Sequence, residues 1–183
     1  AKWYRKGAEE GDVTAMYNLA GLHEDGEGLP KNLSKALTWY RKSAEGNYIP
    51  AINSMGYFYR KGAGSVKQDY AAAMKFYAKG AKLGSYISMF SVGRMYEEAW
   101  GVKQDHAKAL KWYRKAIKSK EPYFKYRLGR LLIEGKGIKL EPAEGKVWIQ
   151  KAADAGSEEA KDYLAPKPAK SAVEKPVEKK EAA

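Results

Sequence analysis

Apolar and small residues return along this chain in two alternating helical phases. Ala15, Leu19, Leu22 and His23 recur at i, i+4, i+7 and i+8, and Ala36, Trp39, Tyr40, Ser43 and Ala44 at i, i+3, i+4, i+7 and i+8. Each set places its members on one face of a 3.6-residue helix, so each predicts an amphipathic helix with a polar outer side. Between them runs Gly26-Glu-Gly-Leu-Pro-Lys-Asn32. Glycine there can take the positive φ that ends the first helix, and Asn32 can cap the second. The two phases come back as Ala51, Met55, Gly56 and Tyr59 followed by Ala73, Phe76, Tyr77 and Ala81. They return again as Val92, Gly93 and Tyr96 followed by Ala109 and Trp112, and as Leu128, Gly129 and Leu132 followed by a helix that starts at Glu141-Pro142-Ala-Glu144. Proline at the first helical position and a carboxylate three residues past the cap are start signals.

The recurrence has a fixed interval. Trp3, Trp39, Phe76, Trp112 and Trp148 occupy one slot at spacings of 36, 37, 36 and 36 residues, and Tyr4, Tyr40, Tyr77 and Tyr113 follow directly in four of the five copies. A period of this size is the mark of a solenoid built from one helix-turn-helix unit. The expected fold is all-α, with about four full repeats and a half repeat at each end. The single longer interval places one extra residue at Ser65, in a loop, where insertions are tolerated. Gly11, Asn47, Gly84 and Gly156 close their units, while Lys120 stands in that slot once, so the turn after the Trp112 helix is expected to be looser. Residues 1–11 match the second half of a unit, which makes the chain read as a piece of a longer array whose first helix is its least protected part. Residues 1–164 are expected to form the solenoid. Residues 165–183, rich in Lys, Pro, Glu and Ala, are too polar to build a core and are expected to form a disordered tail.

The combined pattern A-x-x-x-L-G-x-x-Y, G-x-G-V-x-x-D and A-x-x-W-Y-x-K-A-A, with a closing glycine, resembles the Sel-like repeat family. It is clearest in Ser88-Met-Phe-Ser-Val92-Gly93-Arg-Met-Tyr96 and in Gly101-Val-Lys-Gln-Asp105 through Ala116. The period departs from the 34 residues of tetratricopeptide repeats. The resemblance implies a right-handed α/α-solenoid that holds other macromolecules together. Bacterial members are often in the cell envelope, so the periplasm or envelope is favoured over the cytoplasm, although the residues themselves leave the compartment open. Some secreted members staple each repeat with a cysteine pair; this chain has no cysteine.

Within a unit, Gly56, Gly93 and Gly129, with Ala20 in the first copy, are expected to let the two helices approach closely. The Trp-Tyr pairs are expected to fill the space between units, with about 3–5 kcal/mol lost on truncating such a tryptophan. The lysine three residues after each marker (Lys6, Lys42, Lys79, Lys115, Lys151) reads as a snorkelling residue near a helix end.

Charge and chemistry narrow the function. The net charge of +12 permits acidic partners without choosing among nucleic acid, anionic lipid and protein. No stretch approaches the ~18 apolar residues of a membrane span. With no cysteine, thiol catalysis and a structural zinc site are excluded, and the glycine pairs lack the Lys-Ser/Thr that a phosphate loop needs. His23 reads as packing by register and His106 as the residue after a helix cap, and neither has a nucleophile or metal partner. Glu97-Glu98 read as a solvated helix end. No catalytic residue, metal site or cofactor is expected. Trp100 is the one tryptophan outside the repeated slot. It is either an exposed contact point or a ring folded back onto its own array.

What remains is the face of the first helices, which by analogy with other α-solenoids lines a concave groove. Positions there that break the repeat, and so are expected to be free of packing duty, are Tyr17, Asn53, Phe90 and Tyr126 in one row and Tyr57, Arg94 and Arg130 in the next. Glu24, Arg60 and Glu97 follow one turn later. Aromatics with arginines are the composition enriched in protein-binding patches. The candidate partner-binding residues are therefore Tyr17, Tyr57, Arg60, Phe90, Arg94, Tyr126 and Arg130. The expected function is a non-enzymatic scaffold that binds a protein or peptide segment in this groove, an acidic one if the charge is used, with no specific nucleic acid. The alternatives are an accessory module of a polysaccharide or cell-envelope enzyme complex and a non-specific binder of acidic polymers, whose affinity would fall linearly in log K against log salt. Oligomeric state is not encoded in the pattern.

Overall fold

From α2 onward, each described helix start carries a capping side chain or a proline in front of an apolar stripe. The computed structural model describes residues 1–64 and 66–166. Among them are ten helices: α1 (Lys2–Glu9), α2 (Val13–Asp25), α3 (Leu33–Glu45), α4 (Ile49–Lys61), α5 (Tyr70–Lys82), α6 (Tyr86–Glu97), α7 (His106–Ala116), α8 (Pro122–Glu134), α9 (Pro142–Asp154) and α10 (Glu158–Leu164). The only β feature among the described residues is one bridge between Ala63 and Val66 in the α4–α5 loop. Ser65 lies outside the described residues, as do 167–183, which hold almost all of the proposed tail.

The side chains of Asp12, Asn32, Asp69, Ser85, Asp105 and Ser157 each accept a backbone N–H two or three residues on, satisfying donors that the first helical turn leaves orphaned. At α9 the start works differently from the expectation. Glu141 makes no side-chain cap, and Glu144 accepts instead from the Trp148 indole at 3.0 Å and pairs with Arg114 of α7 at 3.3 Å. Pro142 and the tertiary contact with α7 begin that helix together.

Each helix packs chiefly on its neighbours in sequence, in the order expected of stacked helix pairs. Between units the chain turns through left-handed residues at Gly11, Asn47, Gly84 and Gly156. Lys120 takes no positive φ, and α7 stops at 11 residues where α3, α5 and α9 run to 13.

The repeated glycine sits where the two helices of a unit cross. A Cβ on Gly93 would lie 2.6 Å from the Tyr113 ring, and one on Gly56 2.5 Å from Tyr77. In the last unit Ile149 replaces tyrosine, and the crossing tightens until a Cβ on Gly129 would meet the Gly145 carbonyl oxygen at 2.6 Å.

Of each Trp-Tyr pair expected to fill the space between units, from Trp39-Tyr40 onward, the second residue is the buried one and the tryptophan packs at the edge of the core. Tyr40, Tyr77, Tyr113 and Ile149 are buried, whereas Trp39, Trp112 and Trp148 are half-buried and Trp3 is 82% exposed. The reason is angular. Consecutive positions on a helix lie about 100° apart, so only one of a neighbouring pair can point straight at the crossing glycine. The tryptophan lies over the flank instead, where Lys42, Lys115 and Lys151 place their ammonium groups 4.4–4.7 Å from the ring centroids of Trp39, Trp112 and Trp148. The snorkelling lysines thus have a defined seat, a cation over an indole face. Lys79, behind Phe76, instead donates to the Ala44 carbonyl of the preceding unit at 2.6 Å.

Candidate functional site

Beyond each crossing glycine, the last turn of the first helix meets the hydroxyl of the buried tyrosine. Glu24 accepts from Tyr40 at 2.7 Å, and Glu97 accepts from Tyr113. Burial pushes both phenols well above their ordinary pKa, and the facing carboxylates push them further. The equivalent residue in the second unit is Arg60, whose guanidinium faces the Tyr77 hydroxyl. In the fourth unit it is Ile133, beside Ile149. The pair therefore changes together, from carboxylate–phenol to guanidinium–phenol to two aliphatic chains.

Glu97-Glu98 are not the solvated helix end the sequence suggested. Arg127 of α8 lies 2.6 Å from Glu97 and 2.7 Å from Glu98, and the Glu97 and Arg127 side chains are only 16% and 20% exposed. Burial lowers the Arg127 pKa, but Glu97, Tyr113 and Glu98 more than reverse this and leave it above its ordinary value. The cluster ties the first helices of successive units together. Its second partner sits 30 residues away in sequence, so local pattern could not reveal it. His106 also gains a partner: its Nδ1 accepts the Lys136 backbone N–H of the next unit at 2.6 Å. His23 is buried, as register predicted.

The row of positions that break the repeat is not free of packing duty. Phe90 is 6% exposed and stacks on Phe124 at 4.2 Å and on Tyr113 at 5.1 Å, so it is a core residue between units. Tyr17 packs against Tyr40 and Tyr48, Asn53 bonds with Ser85 and Ser88, and Tyr126 packs against Tyr123 and Tyr163. Tyr17, Asn53 and Phe90 meet the start of the next unit's first helix, and Tyr126 meets Tyr163 near the end of α10. Aromatic meets aromatic and amide meets hydroxyl, so variation in the row is matched by variation in its neighbour.

The remaining candidates sit further out. Tyr57 is 47% exposed. Arg130 is held on its own helix by Glu134 and Tyr126 and lies 5.2 Å from the Tyr163 ring centroid. Arg60 and Arg94, from successive units, come together on Trp100, with guanidinium carbons 4.8 and 4.7 Å from its centroid. Trp100 therefore folds back. It follows Ala99, whose φ of +56° turns the chain inward, and its ring lies parallel to Tyr70 at 6.4 Å. Sequence reasoning singled out Trp100 but could not join it to the arginines, because the connection is made only by the loop's reversal.

Two adjoining clefts follow on this face. One of about 150 Å³ is lined by Tyr57, Arg60, Tyr77, Ser91, Arg94 and Trp100. The other, of about 500 Å³, is more apolar and is lined by Tyr17, Ile49, Pro50, Tyr86 and Ile87. Asn53 and Ile87 border both. Among the described residues no three His, Asp or Glu side chains gather to hold a metal ion, and no helix is long and apolar enough to cross a membrane.

Comparison with known proteins gives a consistent result. The family model described as the Sel1 repeat matches residues 1–12, 13–48, 49–85, 87–120 and 122–157. A Sel1 repeat protein from Oxalobacter formigenes is 31% identical with a TM-score of 0.82, over 89% of this chain and 66% of that one. The protein c5321, a protective antigen present in uropathogenic Escherichia coli strains, has an SLR fold; it is 32% identical with a TM-score of 0.84, over 89% of this chain and 35% of that one. Helicobacter pylori cysteine rich protein B is 27% identical with a TM-score of 0.55, over 73% of this chain and 96% of that one. The chain thus spans just under two thirds of the first of these structures and about a third of the second. No curated protein matches it by sequence.

Proposed function

Because the chain belongs to the Sel1 repeat family, a family of helical repeat scaffolds, we propose that it is a non-enzymatic interaction scaffold whose first-helix face forms a groove for an extended segment of a protein partner. The observation that carries this reading is the pair of adjoining clefts on α4 and α6, one apolar and one cationic, bordered by the exposed Tyr57 and Ile87. A 53% exposed isoleucine and a 47% exposed tyrosine beside fixed guanidinium groups form the mixture of anchor and rim that protein interfaces use. Tyr57, Arg60, Arg94 and Arg130 are the proposed contacts. Tyr17 lines the apolar cleft, Phe90 borders the cationic one from within the core, and Tyr126 holds Arg130 beside them through its hydroxyl. Placement of the scaffold in a bacterial envelope complex is part of the same proposal and rests on the family alone.

The test is a comparison of two surfaces. Proteins captured from a bacterial extract by the parent chain are identified by mass spectrometry and challenged with two double variants. Tyr57→Ala with Arg130→Ala should lose the partner. Lys35→Ala with Lys111→Ala, on exposed positions of the second helices, should retain it. The opposite result moves the binding surface to the outer face and refutes the groove.

A further inference from the structure

We propose that the cleft around Trp100 is a carboxylate site that takes one Asp or Glu side chain of an extended partner segment. The inference rests on the groove reading above and specifies its ligand.

Four arginines lie on the first-helix face, and their counter-charges differ. Arg130 pairs with Glu134 on its own helix, and Arg127 is closed by Glu97 and Glu98. Arg94 reaches Glu98 only at 4.0 Å and shares it with Arg127, which is nearer at 2.7 Å. Arg60 has no acidic partner within 4.0 Å among the described residues; in the units on either side its slot holds the carboxylates Glu24 and Glu97. Substitution of an acid by an arginine here removes a negative charge and adds a positive one at a place where the neighbouring rung already presents Arg94. Two like charges held on one indole repel each other, and an anion between them relieves that repulsion.

The site is built to present donors. Trp100 gathers both guanidinium groups against its ring, and a guanidinium presents its N–H groups as a planar fork that matches a carboxylate. The Arg94 Nε is buried and has no hydrogen-bond partner. The Tyr77 side chain lines the same cleft as Arg60 and Ser91. The volume of about 150 Å³ suits a small group. Ile87 and Phe90 supply apolar wall for the methylene stem, and the adjoining apolar cleft suits the residues that precede it in the partner. Glu98 offsets part of the Arg94 charge and leaves that of Arg60 whole, so the cleft carries more than one positive charge and seats a single carboxylate with no excess negative charge. A side chain fits better than a chain terminus because the adjoining apolar cleft, which shares Asn53 and Ile87 with this one, gives the partner chain a path onward toward Tyr17.

The probes are single residues blocked at both ends. N-acetyl-glutamate α-methylamide is titrated into the full chain while the Trp100 indole N–H and the Arg60 and Arg94 Nε–H resonances are followed by NMR. These three signals should move together and saturate, and the glutamine analogue should leave them in place. Arg60→Gln and Arg94→Gln should each weaken binding at least tenfold, a loss of about 1.4 kcal/mol, with the remaining amide spectrum unchanged. Arg60→Lys should weaken it as well, because it keeps the charge and loses the fork.

Equal shifts with the glutamine analogue would overturn the proposal, as would undiminished binding by the glutamine variants. Tighter binding of N-acetyl-leucine would reassign the site to a chain-terminal carboxylate, and tighter binding of inorganic phosphate to a phosphorylated segment; either outcome refutes the side-chain assignment. The two readings fail separately. Probe binding in the cleft with partner capture indifferent to Tyr57 and Arg130 defeats the groove alone, while loss of capture in that variant without any probe shift defeats the carboxylate site alone.

Discussion

Tyr113→Ala should destabilise the array more than Trp112→Ala, although tryptophan is the larger side chain and marks the repeat. Tyr113 is fully buried, covers Gly93, stacks on Phe90 and donates to Glu97. Its truncation removes a whole aromatic ring from a closed site, at a cost of about 3–5 kcal/mol. It also leaves Glu97 with Arg127 as its remaining partner, which adds about 1.5 kcal/mol for a lost bond to a charged acceptor. Trp112 is half-buried, so its truncation forfeits about 2 kcal/mol of apolar burial together with the Lys115 contact, about 0.5–1 kcal/mol at an exposed site. Tyr113→Phe isolates the hydroxyl and should cost about 1.5 kcal/mol. Because stacked repeats can unfold unit by unit, a single melting temperature is a poor readout. Urea unfolding followed by helical circular dichroism gives the size of each effect, and hydrogen exchange resolved by helix should place the loss in α6 and α7. If Trp112→Ala proves as costly as Tyr113→Ala, the tyrosine is not the keystone of the crossing and the reasoning fails.

Gly129→Ala should cost more than Gly93→Ala, about 3 against about 1–2 kcal/mol, because the new methyl meets a backbone carbonyl in the first case and a ring able to tilt in the second; urea unfolding of both variants checks the order. Glu97→Gln should destabilise the α6–α8 junction by about 2–4 kcal/mol by leaving Arg127 and Tyr113 short of their acceptor, and equal exchange rates in parent and variant at that junction would refute this. The backbone N–H of Lys108 holds the Asp105 pKa below its ordinary value, and the Trp148 indole does the same for Glu144. A depressed folded-state pKa gives stability that is present above the ordinary carboxylate value and is lost as pH falls through the folded one. The starts of α7 and α9 should therefore fray on acidification below about pH 4, seen as lower protection factors at Lys108 and near Glu144, each referred to the intrinsic exchange rate at the same pH; higher protection factors would reverse the sign. Helix α1, with Trp3 82% exposed and Ala8 its one buried residue, should exchange fastest of the ten, and protection equal to that of α7 would show that something covers it.

The sequence alone determined what depends on local pattern. Helical periodicity, capping side chains and a period near 36 residues specify helix pairs and their stacking, because the same short-range rules act in every copy. The starts of α3 and α7 at Asn32 and Asp105 were legible for that reason, as was the closing of units at Gly11, Asn47, Gly84 and Gly156, where the chain turns through left-handed residues. Which member of each Trp-Tyr pair points at the crossing was decided only in three dimensions, since the angle between neighbouring positions matters there and composition does not. Phe90 looked free because it broke the repeat; the structure buries it because Phe124 of the next unit varies to meet it. The candidate site was legible in parts, as arginines on one face and a tryptophan out of register. Their union was not, because the reversed loop at Ala99 carries Trp100 between two rungs, and the counter-charge that distinguishes Arg127 from Arg60 comes from residues far along the chain. Register fixes where a side chain sits, and only the packed solenoid fixes which charges it meets.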